Sequence, residues 1–538
     1  YTNSYYFAPE ITDGYSDNVV DYASQNQHKQ LIQGILTEDI AAGWSGWNAL
    51  RRYNLLLKNA TDVKGDQAEV KHYIGLTRLM RAQWYYNMVM LYNEVPWYDE
   101  PLTDDDEAAL TKGRDSRETV VAHVMEDLNY ATENMMTDYA NRTKMSKWYA
   151  LYLKAHICLT EGSWRKYHDE LGLQSSANKF FEEAANAANQ IIQSGKFSID
   201  KTGGAAKAYQ RLFTSYNNEL EKSPEIILFK DYSKDLGILH GAPKGCFDNN
   251  RAFSRSLMES YDYIENGEAK PFTSVEGYDK MGFVEVFQNR DPRMSQTIMP
   301  PGYMQAGYSK PNVANMELGG YANIKYMTDD NSQNSGWSSA YNDIPICRYA
   351  EVLLIYAEAQ AELGSFTQKD MDITLNAIRA RVDMPGLKVD NLPTDKNLEA
   401  QYPTIADNKL LQQIRRERRI ELVDEGKRWD DIIRWKEGHL LAEIQEGIYV
   451  SELGAFDVTG DGVADVGIYT DKSSVPSGAP SVKYYLSGAI GLTGTDKGYI
   501  VIKNEIGRRF FKEPQYYYMP IPKQQLILNP NLGQTKYW

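Results

Sequence analysis

Two separated segments of the chain share one pattern, in which an Ala-rich helical run ends at a glycine and a second amphipathic run follows. The first run covers residues 148–162 and precedes Ala184 and Ala188, and the second covers 349–364 and precedes 376–379. Small alanine faces let helices pack closely, and a helix pair that cannot bury its apolar face alone needs stacked neighbours. The pattern predicts degenerate tetratricopeptide-like units that are split by a long insertion.

Helical periodicity divides the rest of the chain. Apolar residues recur every three or four positions over 68–195 and over 348–437. The stretches 1–60, 200–345 and 446–510 are richer in turn residues and irregular sequence. We predict a mainly α, single-domain protein over 1–538, in which the two periodic stretches form a scaffold and the loop-rich stretches bind ligand, because long irregular segments of compact proteins are usually functional.

The same periodicity predicts individual helices, and Gly162 is expected to end the helix that precedes it. The predicted helices are 50–60, 68–92, 115–135, 144–161, 177–193, 348–363, 366–382 and 407–437. A short β-type run lies at 225–229.

Charge and composition exclude several classes of protein. The 58 Lys and Arg residues against 73 Asp and Glu give a net charge of −15, which argues against a nucleic-acid partner. No apolar run is long enough to cross a bilayer as a helix. The chain begins at Tyr1 without a charged and apolar leader, so we expect either a truncated cytosolic protein or an exported one whose signal has been removed. The three cysteines show no CxxC spacing and are expected to be buried free thiols.

Catalytic motifs are scarce. The seven histidines form no HExxH pair, so a catalytic zinc site is not expected. No GxSxG or phosphate-binding loop occurs. A pair of glycosidase carboxylates, which no local motif marks, stays open as an alternative.

One segment has the spacing of a calcium loop. Its oxygen-bearing side chains stand at positions 1, 3, 5 and 9, and Gly462 at position 6 allows a sharp turn. These side chains belong to Asp457, Thr459, Asp461 and Asp465. Position 12 is Ile468 where a bidentate Glu would be expected. We predict that no cofactor is required and that this loop binds a structural Ca²⁺ ion, the alternative being a solvated Asp/Gly turn.

A charge-rich helix spans 415–426. Helical spacing would let Glu417 and Arg418 meet Glu421, Asp424 or Glu425. We interpret this segment as a structural helix laced by ion pairs, and the alternative is an anion-binding site.

Tyrosine and tryptophan are unusually common, with 39 Tyr and 10 Trp against 15 Phe. Their rings combine a flat apolar face with a polar edge, which suits a shallow, wet saccharide site. The candidate ligand-binding residues lie in polar loops and are Asp13, Tyr15, Asp39, Trp44, Trp47, Tyr278, Tyr308 and Trp337. Trp44 and Trp47 could instead pack on the following helix, and Trp337 could contact a partner protein.

Several strings, in order along the chain, together resemble the SusD/RagB family of Bacteroidetes nutrient-binding lipoproteins. They are RLMRAQWYYNMVMLYNEVPW (78–97), KWYALYLKAHICL (147–159), RDPR (290–293), NDIPICRYAEVLLIYAEA (342–359), AIRARV (377–382), RRERRIELVDEGKRWDDIIRW (415–435), YMPIP (518–522) and NPNLGQ (529–534). They cover most of the chain.

The resemblance implies four tetratricopeptide-like helix pairs in a right-handed superhelical scaffold, with long loop-rich insertions that carry a few short strands. It implies a non-enzymatic, cell-surface protein of the outer membrane, anchored by a lipid on a Cys upstream of Tyr1. Family members bind glycans, or oligopeptides in the RagB branch, and act as a lid on a SusC-like TonB-dependent transporter. We therefore expect a glycan-capture protein; an oligopeptide-binding lid, a secreted glycoside hydrolase and a scaffolding protein are the alternatives.

Overall fold

The computed structural model describes residues 13–14, 16–21, 27–137, 141–248 and 251–538. The chain divides into two compact units. The helical unit comprises residues 25–195, 433–438 and 510–538, and the mixed unit comprises residues 1–24, 196–432 and 439–509. The predicted scaffold stretch 348–437 lies mostly in the mixed unit, and the grouping of both scaffold stretches in one domain stays a prediction.

The helical unit is built from helices that pack against near neighbours along the chain. Its helices are Gln27–Ile32, Trp47–Asn59, Gln67–Tyr92, Glu107–Leu110, Arg117–Asn134, Lys147–Tyr167, Ala177–Gln193 and Lys523–Leu528. Gln67–Tyr92 begins where the Asp66 carboxylate accepts the Ala68 amide hydrogen at 2.8 Å, which satisfies one unpaired donor of the first turn. This helix packs against Arg117–Asn134, and Lys147–Tyr167 packs against Ala177–Gln193.

The helix that was predicted to end at Gly162 continues to Tyr167. A Cβ at Gly162 would lie 2.8 Å from the Phe181 ring on the neighbouring helix. The glycine therefore allows close approach of two helices and does not end the first one, which corrects the sequence prediction. Gly364, by contrast, has φ +71° just beyond helix Tyr349–Glu362, the left-handed conformation that commonly ends helices.

The mixed unit combines short helices with short strands. Its helices are Ala208–Thr214, Ala242–Asp248, Arg255–Ser260, Pro292–Thr297, Asn331–Asn334, Tyr349–Glu362, Gln368–Ile373, Leu375–Arg379, Lys396–Gln401, Lys409–Glu421, Arg428–Arg434 and His439–Ala442. Its strands are Val19–Asp21, Ile226–Lys230, Arg251–Phe253, Tyr263–Glu265, Glu268–Lys270, Ile344–Arg348, Tyr449–Val450, Gly454–Phe456, Val466–Tyr469, Val482–Tyr485, Ile490–Leu492 and Gly498–Ile502.

The strands form small separate sheets. Ile226–Lys230, close to the predicted run 225–229, pairs with Ile344–Arg348 in antiparallel fashion. The last six strands, all within the irregular stretch 446–510, form two three-stranded sheets. Their inner faces join a hydrophobic core that includes Phe283, Met316 and Ile468. The prediction of a mainly α fold with a few short strands is confirmed.

Two predicted helices are interrupted. The segment 366–382 breaks at Thr374, whose φ of −114° and ψ of −95° lie outside the helical region and whose hydroxyl donates to the Asp370 carbonyl. The segment 407–437 breaks after Glu421, where Asp424 and Gly426 both have positive φ. In both places periodicity continues along the sequence, but local hydrogen bonding and left-handed backbone end the helix.

The charge-rich helix Lys409–Glu421 lies inside the mixed unit, and its charges are buried. Arg293 bridges Glu417 and Glu421 at 2.6 and 2.9 Å, while Arg348 pairs with Glu421 at 2.6 Å. Arg418 pairs with Asp431 at 2.7 Å, a partner that helical spacing did not predict. The helix is thus held by ion pairs, as the structural interpretation predicted, but the observed partners Arg293, Arg348 and Asp431 lie outside the helix.

The remaining sequence expectations concern cysteine and membranes. Cys158, Cys246 and Cys347 are buried free thiols. Within the ranges that the structure describes, no helix has both the length and the apolar character needed to cross a bilayer.

Candidate functional site

A cleft of about 700 Å³ opens in the helical unit and brings together two of the predicted residues, Trp44 and Trp47. Their ring centroids lie 5.4 Å apart with an interplanar angle of 46°. Trp47 also meets Tyr98 edge-on at 5.9 Å, so three aromatic side chains line one cleft. Aromatic walls of this kind with a few polar groups are typical of small-molecule sites.

Two glycines position these tryptophans. Gly43 and Gly46 have φ values of +104° and +88°, which side chains other than glycine rarely adopt. A Cβ at Gly46 would overlap the indole nitrogen of Trp84, and Trp47 packs edge-on against that ring at 4.9 Å. The GWSGW sequence at 43–47 is therefore a backbone turn that directs both indoles, followed immediately by helix Trp47–Asn59.

The floor of the cleft is fixed by a buried polar network. Asn54 donates its side-chain amide to the Tyr98 carbonyl at 2.9 Å and accepts from Arg81 at 2.9 Å. Arg81 in turn pairs with Asp127 at 2.7 Å. The Tyr98 hydroxyl donates to the Ala109 carbonyl at 3.0 Å. A network whose members hold one another in place keeps the aromatic wall in a fixed geometry before any ligand binds.

The opposite side of the cleft comes from the end of the chain, which the sequence did not implicate. Helix Lys523–Leu528 contributes Gln525 and Leu528 to the lining. Asn529 donates to the Lys112 carbonyl at 2.9 Å, and Arg114 donates to the Leu532 carbonyl at 2.8 Å. The NPNLGQ string at 529–534 thus contributes hydrogen bonds that hold the C-terminal segment against the cleft, a role that no local signal reveals.

Polar side chains surround the aromatic wall. The exposed Asn48 and Arg51 stand on successive turns of helix Trp47–Asn59, and both line the cleft. Arg51 is steadied by donating to the Leu102 carbonyl at 2.8 Å, and Asp104 stands on the same rim. Flat rings beside amide, guanidinium and carboxylate groups provide the two kinds of contact that a sugar offers, C–H faces and hydroxyls.

The other predicted residues lie elsewhere. In the helical unit, Asp39 is exposed and pairs with Lys523 at 2.9 Å. Lys523 begins the helix that lines the cleft. Tyr15 lies outside the described residues.

In the mixed unit, Asp13 is buried and exchanges backbone-amide hydrogen bonds with Asp424, at 3.1 and 2.6 Å. Tyr278 is half-buried against Phe272, Tyr308 is exposed, and Trp337 is half-buried in a loop whose carbonyl lies against Gly241. Asp13 thus takes part in the packing of the interior, and a ligand-binding role for Tyr278, Tyr308 and Trp337 stays a prediction.

Comparison with known proteins decides the family. Residues 196–538 match the sequence model of the SusD family. The chain belongs to the SusD family. The resemblance seen in the sequence is thereby confirmed, and the matched range extends over most of the mixed unit and the C-terminal segment that closes the cleft.

Relatives support this membership. SusD-like protein P2 of Formosa agariphila is 23% identical over 453 residues, which cover 78% of this chain and 77% of that protein. A SusD-like carbohydrate-binding protein of Bacteroides fragilis has a similar fold, with a TM-score of 0.69 and 22% identity over 96% of this chain and 91% of that one. A laminarin-binding SusD-like protein aligns with a TM-score of 0.55 and 18% identity over 98% and 94%.

In this SusD-family chain the predicted calcium loop has its carboxylates engaged by backbone amides. Asp457 accepts amide hydrogens from Thr459, Gly460 and Gly462 at 2.6–3.0 Å, and Asp465 accepts two more. No group of three or more His, Cys, Asp or Glu side chains converges on a common metal position within the described ranges. The loop therefore has a metal-independent way of holding its turn, and calcium binding stays a prediction.

Proposed function

We propose that this protein is a cell-surface glycan-binding protein without catalytic activity, which captures oligosaccharides and delivers them to a SusC-like TonB-dependent transporter. The observation that carries the proposal is the cleft in which Trp44, Trp47 and Tyr98 stand beside Asn48 and Arg51. Two SusD-family proteins of similar fold are named for carbohydrate and for laminarin binding, which supports a saccharide as the ligand. A lipid anchor upstream of this chain would hold the protein at the outer membrane.

The cleft itself favours a glycan over an oligopeptide. Peptides that bind in extended form usually add a strand to an exposed sheet edge. The described residues of the helical unit contain no β-strand, so the cleft offers no such edge.

The proposal is tested by affinity electrophoresis of the purified protein in gels that contain laminarin, starch, xylan, mannan or inulin. We expect retarded migration in at least one gel. Trp47→Ala should lose that retardation, whereas Ala400→Phe, at an exposed position of a mixed-unit helix, should keep it. Binding only to a panel of oligopeptides would favour the RagB-like alternative. Release of reducing ends from a bound polysaccharide would show an enzyme and would overturn the non-catalytic part of the proposal.

A further inference from the structure

A second cavity, of about 360 Å³, opens in the mixed unit beside strands Tyr449–Val450 and Gly454–Phe456. Three aromatic side chains line it, Phe283, Tyr449 and Phe456. It is distinct from the cleft in the helical unit, because the two share no lining residue.

The base of this cavity is part of the hydrophobic core. Val450, Val458 and Ile468 line it and are each at most 3% exposed. They belong to the largely apolar cluster that holds the two small sheets together. The cavity is therefore bounded by packed core and is not a gap between mobile loops.

One wall is held by an aromatic and hydrogen-bonded brace. Tyr449 and Tyr499 are cross-strand partners whose rings meet edge-on at 5.4 Å. The Tyr499 hydroxyl donates to the Asp279 carbonyl at 2.7 Å, and the Arg255 guanidinium lies over the Tyr499 ring at 4.2 Å. The turn Tyr278–Lys280, which carries a predicted ligand-binding residue, is thereby fixed at the cavity, and Lys280 lines it.

The opposite wall is the Asp457 loop. Asp457 and Val458 line the cavity, and the Asp457 carboxylate holds the amides of the following turn. Gly460 of the same loop lies against Val284 and Pro301, and Val284 is another lining residue. Two sequence features that have no role in the helical-unit cleft, the Tyr278 turn and the acidic loop, thus build one concave site.

We infer that this cavity binds a single pyranose unit of a saccharide, an assignment that rests on the proposed glycan-binding function. The rings of Tyr449 and Phe456 are partly exposed and offer apolar faces to the C–H surface of a sugar. At the mouth, Lys280, Glu285 and Ser451 are exposed and supply both donors and acceptors for hydroxyls. The lining carries one cation, Lys280, and two carboxylates, Glu285 and Asp457, of which Asp457 already accepts hydrogen bonds from backbone amides. The cavity therefore suits a neutral polyhydroxyl ligand better than an anion.

The two cavities can be closed separately with single substitutions. Ala455 lines the mixed-unit cavity, is exposed, and lies opposite Gly467 in the sheet, so Ala455→Trp adds bulk in the cavity without removing core packing. Asn48→Trp does the same in the helical-unit cleft, where Asn48 is exposed. Ala400→Trp is the matched control, because Ala400 is an exposed residue of helix Lys396–Gln401 and lines neither cavity.

The test is saturation-transfer difference NMR with the methyl glycosides of glucose, galactose, mannose and xylose at millimolar concentration. We expect transfer to at least one glycoside in the wild type, about half of it in Ala455→Trp and in Asn48→Trp, and none in the double variant. Phe456→Leu, which keeps an apolar side chain but removes the ring, should also lower the signal, and Ala400→Trp should not.

Wild-type transfer in Ala455→Trp and complete loss in Asn48→Trp would overturn this inference while leaving the glycan-binding function intact. No transfer from the wild type to any glycoside would also overturn it, and the polysaccharide gels would then decide the proposed function independently. Thermal melts of each variant, monitored by circular dichroism, show whether a lost signal comes from a closed cavity or from unfolding.

Discussion

Replacing Glu421 by Gln tests whether the buried charge network stabilises the mixed unit. Glu421 is fully buried, and its two carboxylate oxygens accept from Arg348 and Arg381 at 2.6 Å and from Arg293 at 2.9 Å. Burial opposes ionisation of this carboxyl, but Arg381, Arg348 and Arg293 outweigh that cost and hold the pKa of Glu421 below its usual value. The substitution keeps the shape of the side chain and removes its charge.

The expected loss follows from the burial of the partners. Arg293, Arg348 and Arg381 are each at most 1% exposed, so water cannot solvate the charge that Glu421 no longer neutralises. Removing one member of a buried ion pair typically costs about 3–5 kcal/mol. We expect Glu421→Gln to lower the free energy of unfolding by an amount at the lower end of that range, because four other carboxylates still pair with these arginines, namely Glu225, Asp291, Glu417 and Glu425.

Urea unfolding followed by tryptophan fluorescence at pH 7 measures this loss. The control is Glu399→Gln, which breaks the surface pair with Lys396 at 2.7 Å, where the lysine is 83% exposed; it should cost less than about 1 kcal/mol. Because the folded pKa of Glu421 is lowered, its stabilisation is present above the usual value of 4.5 and is lost as the pH falls through the folded pKa. The difference between wild type and Glu421→Gln should therefore shrink in acid. Equal losses in Glu421→Gln and Glu399→Gln would refute the reasoning.

Three further predictions concern pH, metal and packing. Burial, and then the Asp424 carboxylate, raise the pKa of Asp13 to about 6, so the folded protein is destabilised once Asp13 ionises above pH 6. The wild type should therefore gain melting temperature when the pH is lowered from 7 to 5, and Asp13→Asn should show a smaller gain. An equal gain in both proteins would contradict this. Calcium should raise the melting temperature and Asp461→Asn should abolish that rise, because Asp457, Asp461 and Asp465 have the spacing of a calcium loop; an unchanged melting temperature would favour a turn held by backbone amides alone. Gly162→Ala should lower the melting temperature, because the new Cβ would crowd Phe181, and an increase would contradict close packing there.

Local signals predicted the long helices well. The predicted helix 68–92 is observed as Gln67–Tyr92, and 177–193 as Ala177–Gln193, because each has a sustained apolar stripe and long periodic segments are the clearest pattern in a sequence. The failures were at ends and breaks. Gly162 lies inside a helix, where its missing Cβ leaves room for Phe181 of another helix. The break after Glu421 contains Asp424, whose backbone amide donates to Asp13, 411 positions away in the sequence.

The candidate site could be predicted only in part, because some of its residues are brought together by contacts between distant parts of the chain. Trp44 and Trp47 could be named because the GWSGW turn is a local motif that presents two rings. Gln525 and Leu528 could not be named, because they reach the cleft only through long-range bonds such as that of Asn529 to Lys112. The sequence around Asp13 is polar, yet its carboxylate is buried against Asp424, a long-range contact that no local signal predicts; its ligand-binding role stays a prediction.

Glycan affinity of the helical-unit cleft is the most direct test of the account. Isothermal titration compares the wild type, Trp47→Ala and Ala400→Phe, with oligosaccharides from the polysaccharide that retards migration as ligands. The affinity of Trp47→Ala should be at least about fivefold weaker, since loss of an aromatic anchor costs more than about 1 kcal/mol. Ala400→Phe should bind like the wild type. Equal affinities for Trp47→Ala and the wild type, with both proteins folded, would contradict the placement of the ligand against these indoles.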